Sequence, residues 1–220
     1  MSLAAVAEQL YQYSDLSDEA KRRAREEMSE AEGRDWEPEY ESYVTAAALL
    51  GIDLTERKTR RGGKNEMVVY DSNTISFSGF WSQGDGASFS GSYKYVPACF
   101  QKVREDFPQD TELHSIADRL TALNARLRLL HGCWLEGTIT RNDTRYSHKF
   151  TMDAVVTDSE GEEFSWDDPI TKDFLELMRD FADWIYKGLE ADYDWRTSDE
   201  VIEESLSNGD YEFDEEGIMQ

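Results

Sequence analysis

Apolar residues recur every three or four positions along several stretches of the chain, which is the period of an amphipathic helix. The clearest stripe runs from Leu113 to Leu130, and a second follows Pro169, a residue type that favours the first turn of a helix. Ser17 stands where an N-cap is expected, and Gly51 stands where a C-cap is expected. The pattern therefore predicts helices over 18–28, 37–50, 97–107, 110–130, 169–189 and 199–206.

The segments between these helices have the composition of strands, with β-branched and aromatic residues bounded by turn signals. The tetrapeptide Ser-Phe-Ser-Gly occurs at 76–79 and again at 88–91, and the two copies flank the turn signal Gly84-Asp85-Gly86. We expect these copies to form an antiparallel pair. Further strands are predicted at 52–54, 67–70, 134–140 and 146–156 and around Phe164, and residues 210–220 form either an edge strand or no regular element.

Strands grouped in the middle of the sequence, with helices at both ends, predict an α+β fold. We expect an antiparallel, mostly meandering sheet of five to seven strands, with helices at the N-terminus, in the middle and at the C-terminus. No stretch rich in Pro, Gly or Ser divides the chain. Residues 1–220 are therefore predicted to form a single domain whose C-terminal helical part, 169–220, is strongly acidic.

The acidic residues are concentrated toward the C-terminal end. Residues 151–220 hold 23 Asp and Glu against 4 Lys and Arg, within a chain whose formal net charge is −24. Aromatic residues continue through this part, which indicates a folded surface because disordered acidic segments lack such residues. A surface of this charge repels nucleic acid and attracts basic surfaces from a distance. The expected partner is a cationic protein, and direct binding to DNA is not expected.

Four carboxylates on the helix that follows Pro169 are spaced three, four and three residues apart, so they are expected on one face, opposite the apolar stripe. At about 1.5 Å per residue they are roughly 4.5 to 6 Å apart, which is comparable to the phosphate spacing of a nucleic-acid strand. Two interpretations stay open: a solvated face that keeps the protein soluble, and a mimic of a nucleic-acid backbone. The predicted partner-binding residues are these four and others that extend the row: Asp173, Glu176, Asp180, Asp183, Glu190, Asp192, Asp194, Glu203 and Glu204.

The segment from Phe77 to Phe89 concentrates aromatic, amide, carboxylate and glycine groups. Its candidate site residues are Phe80, Trp81, Gln83 and Asp85. The indole offers a stacking face, while the amide and the carboxylate offer hydrogen bonds to a sugar or a base edge. The competing interpretation is a hairpin whose phenylalanines fill the core and whose glycines form the turn.

Five basic residues lie between Arg57 and Lys64, around Gly62-Gly63, in the expected tip of a hairpin. A solvated loop is one interpretation, and contact with a phosphate backbone inside a partner complex is another. A bridge to the acidic surface of a second copy is a third, and it would make a homodimer.

No motif for a metal, a cofactor or a nucleophile is complete. The three histidines are far apart, Cys99 and Cys133 have no neighbouring cysteine, and the glycine of residues 158–162 is misplaced for a calcium loop. A P-loop, a dinucleotide-binding fingerprint and a Gly-x-Ser-x-Gly elbow do not occur. We therefore predict no catalytic residue, no metal and no cofactor, with both cysteines as reduced core thiols. Neither a signal peptide nor a membrane span is evident, so a cytoplasmic protein is expected.

Two stretches resemble an uncharacterised family of bacteriophage and prophage proteins. They are Asp15-Leu16-Ser17-Asp18-Glu19-Ala20-Lys21 and the segment from Phe77 to Phe89, with the sequence FSGFWSQGDGASF. The resemblance implies a phage setting and assigns no catalytic residue. Small acidic phage proteins that resemble nucleic acid are a means of disabling restriction or CRISPR machinery. This is an analogy between classes of protein, and no matching residues support it.

Charge and resemblance together predict a non-enzymatic anti-CRISPR or anti-restriction inhibitor. It would occupy the nucleic-acid-binding surface of a defence complex in the cytoplasm of a bacterial host. Two alternatives stay open. One is a small-ligand-binding or enzymatic domain centred on residues 81–85, and the other is a structural or accessory protein of a phage.

Overall fold

A computed structural model describes residues 9–61, 67–142 and 146–220. The fold is α+β, with helices at the N-terminus, in the middle and at the C-terminus and with antiparallel strands, as predicted. The helices are α1 (Asp18–Asp35), α2 (Glu41–Leu50), α3 (Cys99–Asp106), α4 (Thr111–His131), α5 (Pro169–Arg196) and α6 (Asp199–Asn208). The strands are β1 (Ile52–Asp53), β2 (Thr55–Arg61), β3 (Met67–Asn73), β4 (Ser76–Phe77), β5 (Ala87–Ser88), β6 (Gly91–Lys94), β7 (Leu135–Arg141) and β8 (Met152–Asp158). None of the helices in this part of the chain combines the length and the apolarity that a bilayer crossing requires.

The helix ends follow local signals in the sequence. At the start of α1, the Ser17 hydroxyl accepts a hydrogen bond from the Ala20 N–H at 3.2 Å. At the start of α4, the Asp110 carboxylate accepts one from the Leu113 N–H at 2.8 Å. Gly51 ends α2 with φ 90°, a conformation that glycine adopts without strain.

Four antiparallel strands form the main sheet, in the order β1-β6-β7-β8. The longest pairing aligns Leu135 of β7 with Asp158 of β8 and continues to Arg141 and Met152. The hairpins β2–β3 and β4–β5 form two separate two-stranded sheets, so the predicted strands are distributed over three sheets. The two copies of Ser-Phe-Ser-Gly meet in β4 and β5, with Ser76 aligned with Ser88, which confirms the predicted pair.

The chain divides into two compact units, which we describe separately. The sheet unit comprises residues 39–188, and the acidic unit comprises residues 9–38 together with residues 189–220. Helix α5 is continuous from the one unit into the other. The single domain over 1–220 stays a prediction.

In the sheet unit, α5 and α4 pack on the main sheet. Phe174 of α5 is fully buried, and a Cβ on Gly137 of β7 would lie 2.9 Å from its ring. The buried Asn124 of α4 donates to the Tyr93 hydroxyl of β6 at 2.8 Å and accepts from the Leu135 N–H at 3.2 Å. Asn124 therefore ties α4 to two strands while it satisfies polar groups that burial removes from water.

In the acidic unit, the C-terminal tail completes a small hydrophobic core with α1 and α6. Phe213 is fully buried, and it forms backbone bridges with Tyr11 and Met219. The core consists of Tyr13, Leu16, Ala20, Ala24, Met28, Ile202, Leu206 and Phe213. Residues 210–220 are thus held by isolated bridges and one buried ring, without a regular strand.

One predicted strand is shorter than expected at its beginning. Residues 146–151 precede β8 and contain a 3₁₀ turn, Lys149–Thr151. The reason is that Ser147 bonds to other side chains instead of joining the ladder: its hydroxyl lies 2.8 Å from that of Ser76, and its carbonyl accepts from the Ser78 hydroxyl at 3.1 Å.

Two further predictions need correction. The basic residues of 57–61 lie on β2 and not in a hairpin tip, because β2 and β3 pair over their full length, while residues 62–66 lie outside the described residues. The strand expected around Phe164 is a single bridge between Thr157 and Glu163. The pairing stops after Phe164, because the next residues form a turn in which the Asp168 N–H donates to the Ser165 carbonyl at 3.0 Å, just before α5.

Candidate partner-binding surfaces

Two carboxylates of the predicted row on α5 form ion pairs with α4. Asp173 lies 2.6 Å from the guanidinium of Arg126, and Asp180 lies 2.5 Å from that of Arg119. The acids are seven residues apart on α5 and the arginines are seven residues apart on α4, so antiparallel helices bring both pairs together. The charges of these acids are therefore partly neutralised within the chain.

The other two residues of the row differ from each other. Asp183 pairs with Lys149, in the turn before β8. Glu176 is exposed and has no cation within 4.0 Å among the described residues, and it lines a groove of about 300 Å³ between α4 and α5. Three of the four carboxylates of the predicted row are thus paired, with cations that lie far away in the sequence. Their role in partner binding stays a prediction.

The remaining predicted residues, Glu190, Asp192, Asp194, Glu203 and Glu204, lie in the acidic unit. Two of them have partners there. Asp192 accepts a hydrogen bond from the Trp36 indole N–H at 2.8 Å and pairs with Arg196 at 3.3 Å. Glu203 lies 3.9 Å from Arg25, at the limit of an ion pair, and its side chain is more than half exposed.

Three carboxylates of this unit stay without an ion pair. Glu190, Asp194 and Glu204 have no cation within 4.0 Å in the part of the chain that the structure describes. Glu190 and Asp194 are one turn apart on α5, and the neighbouring Trp195 is 62 % exposed. The end of α5 therefore presents unpaired negative charge beside a large exposed aromatic ring.

The charge is distributed unevenly between the two units. The acidic unit holds 21 Asp and Glu against 6 Lys and Arg, whereas the sheet unit, with more than twice as many residues, holds 25 against 17. The acidic unit therefore has far fewer cations for each acid than the sheet unit has.

The candidate loop between β4 and β5 is closed by one carboxylate. Asp85 Oδ2 accepts hydrogen bonds from the N–H groups of Trp81 at 2.9 Å and Ser82 at 2.6 Å. The Asp85 N–H donates in turn to the Ser82 carbonyl at 3.0 Å. Gly79 and Gly84 adopt φ 67° and 100°, which the sharp turns of this loop require. This oxygen of Asp85 has a structural role, which argues against Asp85 as a general base.

The aromatic residues of this segment divide between core and surface. Phe89 is fully buried, whereas Phe77 is half-buried and stacks on Phe80 with ring centroids 5.7 Å apart. Phe80 also contacts Tyr186 of α5 at 5.6 Å, and Trp81 is 76 % exposed. The hairpin interpretation is thus right for Phe89, while Trp81 and the exposed Gln83 face solvent.

Other exposed aromatic residues were not singled out by sequence reasoning. Trp166 is 81 % exposed, and Phe150 is 68 % exposed with the Arg179 guanidinium 5.4 Å from its ring. A Tyr95–Trp134 stack lies on the surface beside α4. A tryptophan beside acidic residues, as in Trp166-Asp167-Asp168, was the signal available in the sequence.

Among the described residues, no three His, Cys, Asp or Glu side chains are grouped as a metal site would need. The absence of a metal stays a prediction. The Asp158 carboxylate accepts from the N–H groups of Glu160 at 2.8 Å and Glu162 at 3.0 Å. With these bonds Asp158 closes a turn. The same backbone bonds lower the pKa of Asp158, and the bond from Glu162 has the largest effect. Cys99 and Cys133 are both buried and unpaired, as predicted.

Comparison with known proteins gives one informative result. Neither the curated proteins nor the solved structures contain a match to the chain. A family model described as a domain of unknown function, DUF8835, matches residues 36–199. This range includes the whole main sheet, the β4–β5 loop and all of α5. Because the match covers well over half of the chain, the protein belongs to the DUF8835 family.

Proposed function

We propose that the protein is a non-enzymatic binding protein whose acidic unit occupies the positively charged, nucleic-acid-binding surface of another protein. The observation that carries this proposal is the end of α5, where Glu190 and Asp194 lack ionic partners among the described residues and Trp195 is 62 % exposed. Carboxylates attract a basic surface, and an exposed indole can anchor the complex once it forms.

The distribution of ion pairs indicates which carboxylates matter most. An acid and the arginine with which it pairs, as Asp173 and Arg126, together produce little net field at a distance because their charges nearly cancel. An unpaired acid such as Asp194 keeps its full charge. We therefore place the mimic of a nucleic-acid backbone in the acidic unit and the last turns of α5, and we assign the first turns of α5 mainly to helix packing.

The class of partner comes from the motif resemblance. A phage setting points to a restriction or CRISPR complex in the cytoplasm of a bacterial host, since such complexes expose basic channels for nucleic acid. The dense negative charge supports a protein partner over DNA or RNA. A homodimer and a structural role in the phage stay alternatives, and a ligand-binding or enzymatic role of the Trp81 loop is the alternative from another class.

Two charge variants of equal size test the proposal. The first carries Glu190→Gln, Asp194→Asn and Glu204→Gln, and the matched control carries Asp173→Asn, Asp180→Asn and Asp183→Asn. Each tagged variant is used as bait in nuclease-treated bacterial lysate, and bound nucleic-acid-binding proteins are quantified by mass spectrometry at low and at high salt. We expect the first variant to lose up to about tenfold in recovery at low salt, because the field of a charged protein raises association rates roughly 10- to 1000-fold and this variant removes part of that field. The control should lose less.

The proteins recovered with the unmodified chain should be released by duplex DNA, which competes for their basic surface. They should also be released by salt, which screens the attraction between the charges. Equal recovery by the first variant and the unmodified chain would contradict the proposal. Recovery of no nucleic-acid-binding protein at all would contradict it as well.

A further inference from the structure

The β4–β5 loop holds an exposed aromatic ring on a fixed backbone. The Trp81 N–H is bonded to Asp85, and the ring of the preceding residue, Phe80, packs on Phe77 and on Tyr186 of α5. The base of the loop is bonded to the segment before β8 through Ser78 and Ser147. Trp81 is 76 % exposed, and the constrained backbone of its loop reduces the backbone entropy that binding would cost.

The polar groups beside this ring specify what it can bind. Both backbone hydrogen bonds of Asp85 go to Oδ2, and Oδ1 accepts none from a described residue. Gln83 is exposed on the same loop, two residues after Trp81. Trp81 thus carries an exposed indole on a residue whose own backbone N–H is bonded to a carboxylate. Such a pair of groups can accept a flat cation that both stacks and donates hydrogen bonds.

We infer that the loop binds an arginine side chain of a partner protein, with the guanidinium stacked on Trp81 and donating to Asp85 Oδ1. This inference rests on the proposed function, because it names the aromatic contact that complements the acidic unit's attraction for a cationic partner. The arginine-binding loop is defined as residues 78–86.

Charge complementarity favours arginine over other occupants. A nucleobase would also stack on an indole, but its phosphate would approach a chain with a net charge of −24 and the carboxylate of Asp85. An apolar side chain would offer Asp85 Oδ1 no hydrogen-bond donor in place of any water that it displaced. Lysine carries the same charge as arginine, but its ammonium is a strongly hydrated point charge that cannot lie flat on the ring.

The test uses the full chain labelled with 5-fluorotryptophan, whose ¹⁹F spectrum reports each indole separately. The Trp81 signal is assigned from the variant Trp81→Phe. The probe is a nonapeptide of arginine, and a nonapeptide of lysine has the same charge. We expect the Trp81 signal to shift with the arginine peptide more than with the lysine peptide. Trp81→Ala should weaken binding of the arginine peptide roughly two- to fivefold, the effect of an exposed cation–π contact.

Two variants distinguish specific binding at the loop from nonspecific binding of the peptides elsewhere on the chain. Asp85→Asn keeps an oxygen that can accept from the Trp81 and Ser82 N–H groups but removes the charge, so it should weaken the arginine peptide and leave the lysine peptide nearly unchanged. Trp166→Phe alters a tryptophan of similar exposure outside the loop, and it should have no effect on the Trp81 shift. An equal Trp81 shift with both peptides, or none with either, would overturn the inference.

The same measurement separates this inference from the proposed function. In the variant with Glu190→Gln, Asp194→Asn and Glu204→Gln, the preference of Trp81 for arginine over lysine should persist even though overall attraction falls. If that preference persists while no nucleic-acid-binding protein is recovered from lysate, the loop binds arginine as inferred and the proposed function is wrong. If lysate proteins are recovered and Trp81 shows no preference, the proposed function stands and the inference fails.

Discussion

Replacement of Phe181 by alanine is expected to lower the free energy of unfolding by about 3 to 5 kcal/mol, the range for a buried phenylalanine whose cavity cannot close. Phe181 is fully buried on α5. Its ring stacks on Trp184 with centroids 5.4 Å apart and meets the edge of Phe89 at 5.7 Å. The Trp184 indole N–H donates to Asp110, the cap of α4, so the cavity would also loosen the contact between two helices.

Denaturant unfolding followed by circular dichroism measures this effect. Leu129→Ala is the matched control, because Leu129 is an apolar helical residue that is 85 % exposed, and its replacement should change stability by less than about 0.5 kcal/mol. A loss below about 1 kcal/mol for Phe181→Ala would show that Phe181 is not a central core residue of the sheet unit.

The sequence is a good guide to the helices because their signals are local. Ser17 and Asp110 cap the helices that they precede, and Gly51 ends the helix that it follows, within the same few residues that carry the apolar stripe. The repeated Ser-Phe-Ser-Gly also predicts its pair correctly, because a turn signal lies between the two copies. These features need no knowledge of distant parts of the chain.

The sequence is a poor guide to features that depend on distant partners. Residues 146–151 look like a strand, but Ser147 bonds to Ser76 and Ser78, far earlier in the chain. The tail around Phe213 has no periodic pattern, and its order comes from a core that α1 and α6 supply. Strand length and tail order were therefore not predictable from composition and period alone.

The same distinction applies to the candidate site. The acidic row on α5 was visible as a spacing, but the arginines that neutralise part of it lie on another helix. One signal was available: Arg119 and Arg126 have the same separation as Asp173 and Asp180, which fits antiparallel helices. Sequence reasoning also identified Trp81 and Asp85, but only the structure shows that one carboxylate oxygen shapes the loop and the other accepts no bond from the described residues.

The charge of the acidic unit has a consequence for stability as well as for binding. With 21 acidic against 6 basic residues, this unit repels itself, and its hydrophobic core must offset that repulsion. The core is small, and two of its eight buried residues are alanines. A single large ring such as Phe213 therefore contributes a large share of the apolar contact area.

Replacement of Phe213 by alanine is accordingly expected to open the acidic unit at low ionic strength. The loss of a fully buried phenylalanine costs about 3 to 5 kcal/mol, which is comparable to the whole stability of a small unit. Hydrogen exchange followed by mass spectrometry should show faster exchange in α1 and α6, while the strands β7 and β8 of the sheet unit keep their protection.

The salt dependence of hydrogen exchange shows how much of the faster exchange in Phe213→Ala is due to repulsion between the acidic residues. Raising the ionic strength from about 0.01 M to 1 M shortens the screening length from roughly 30 Å to 3 Å, so it should restore part of the protection of α1 and α6 in Phe213→Ala. Ile218→Ala, in the same tail but 41 % exposed, is the control and should exchange like the unmodified chain. Unchanged protection of α1 and α6 in Phe213→Ala would mean that the tail does not stabilise the acidic surface. The unpaired Glu190, Asp194 and Glu204 would then be presented to a partner without its help.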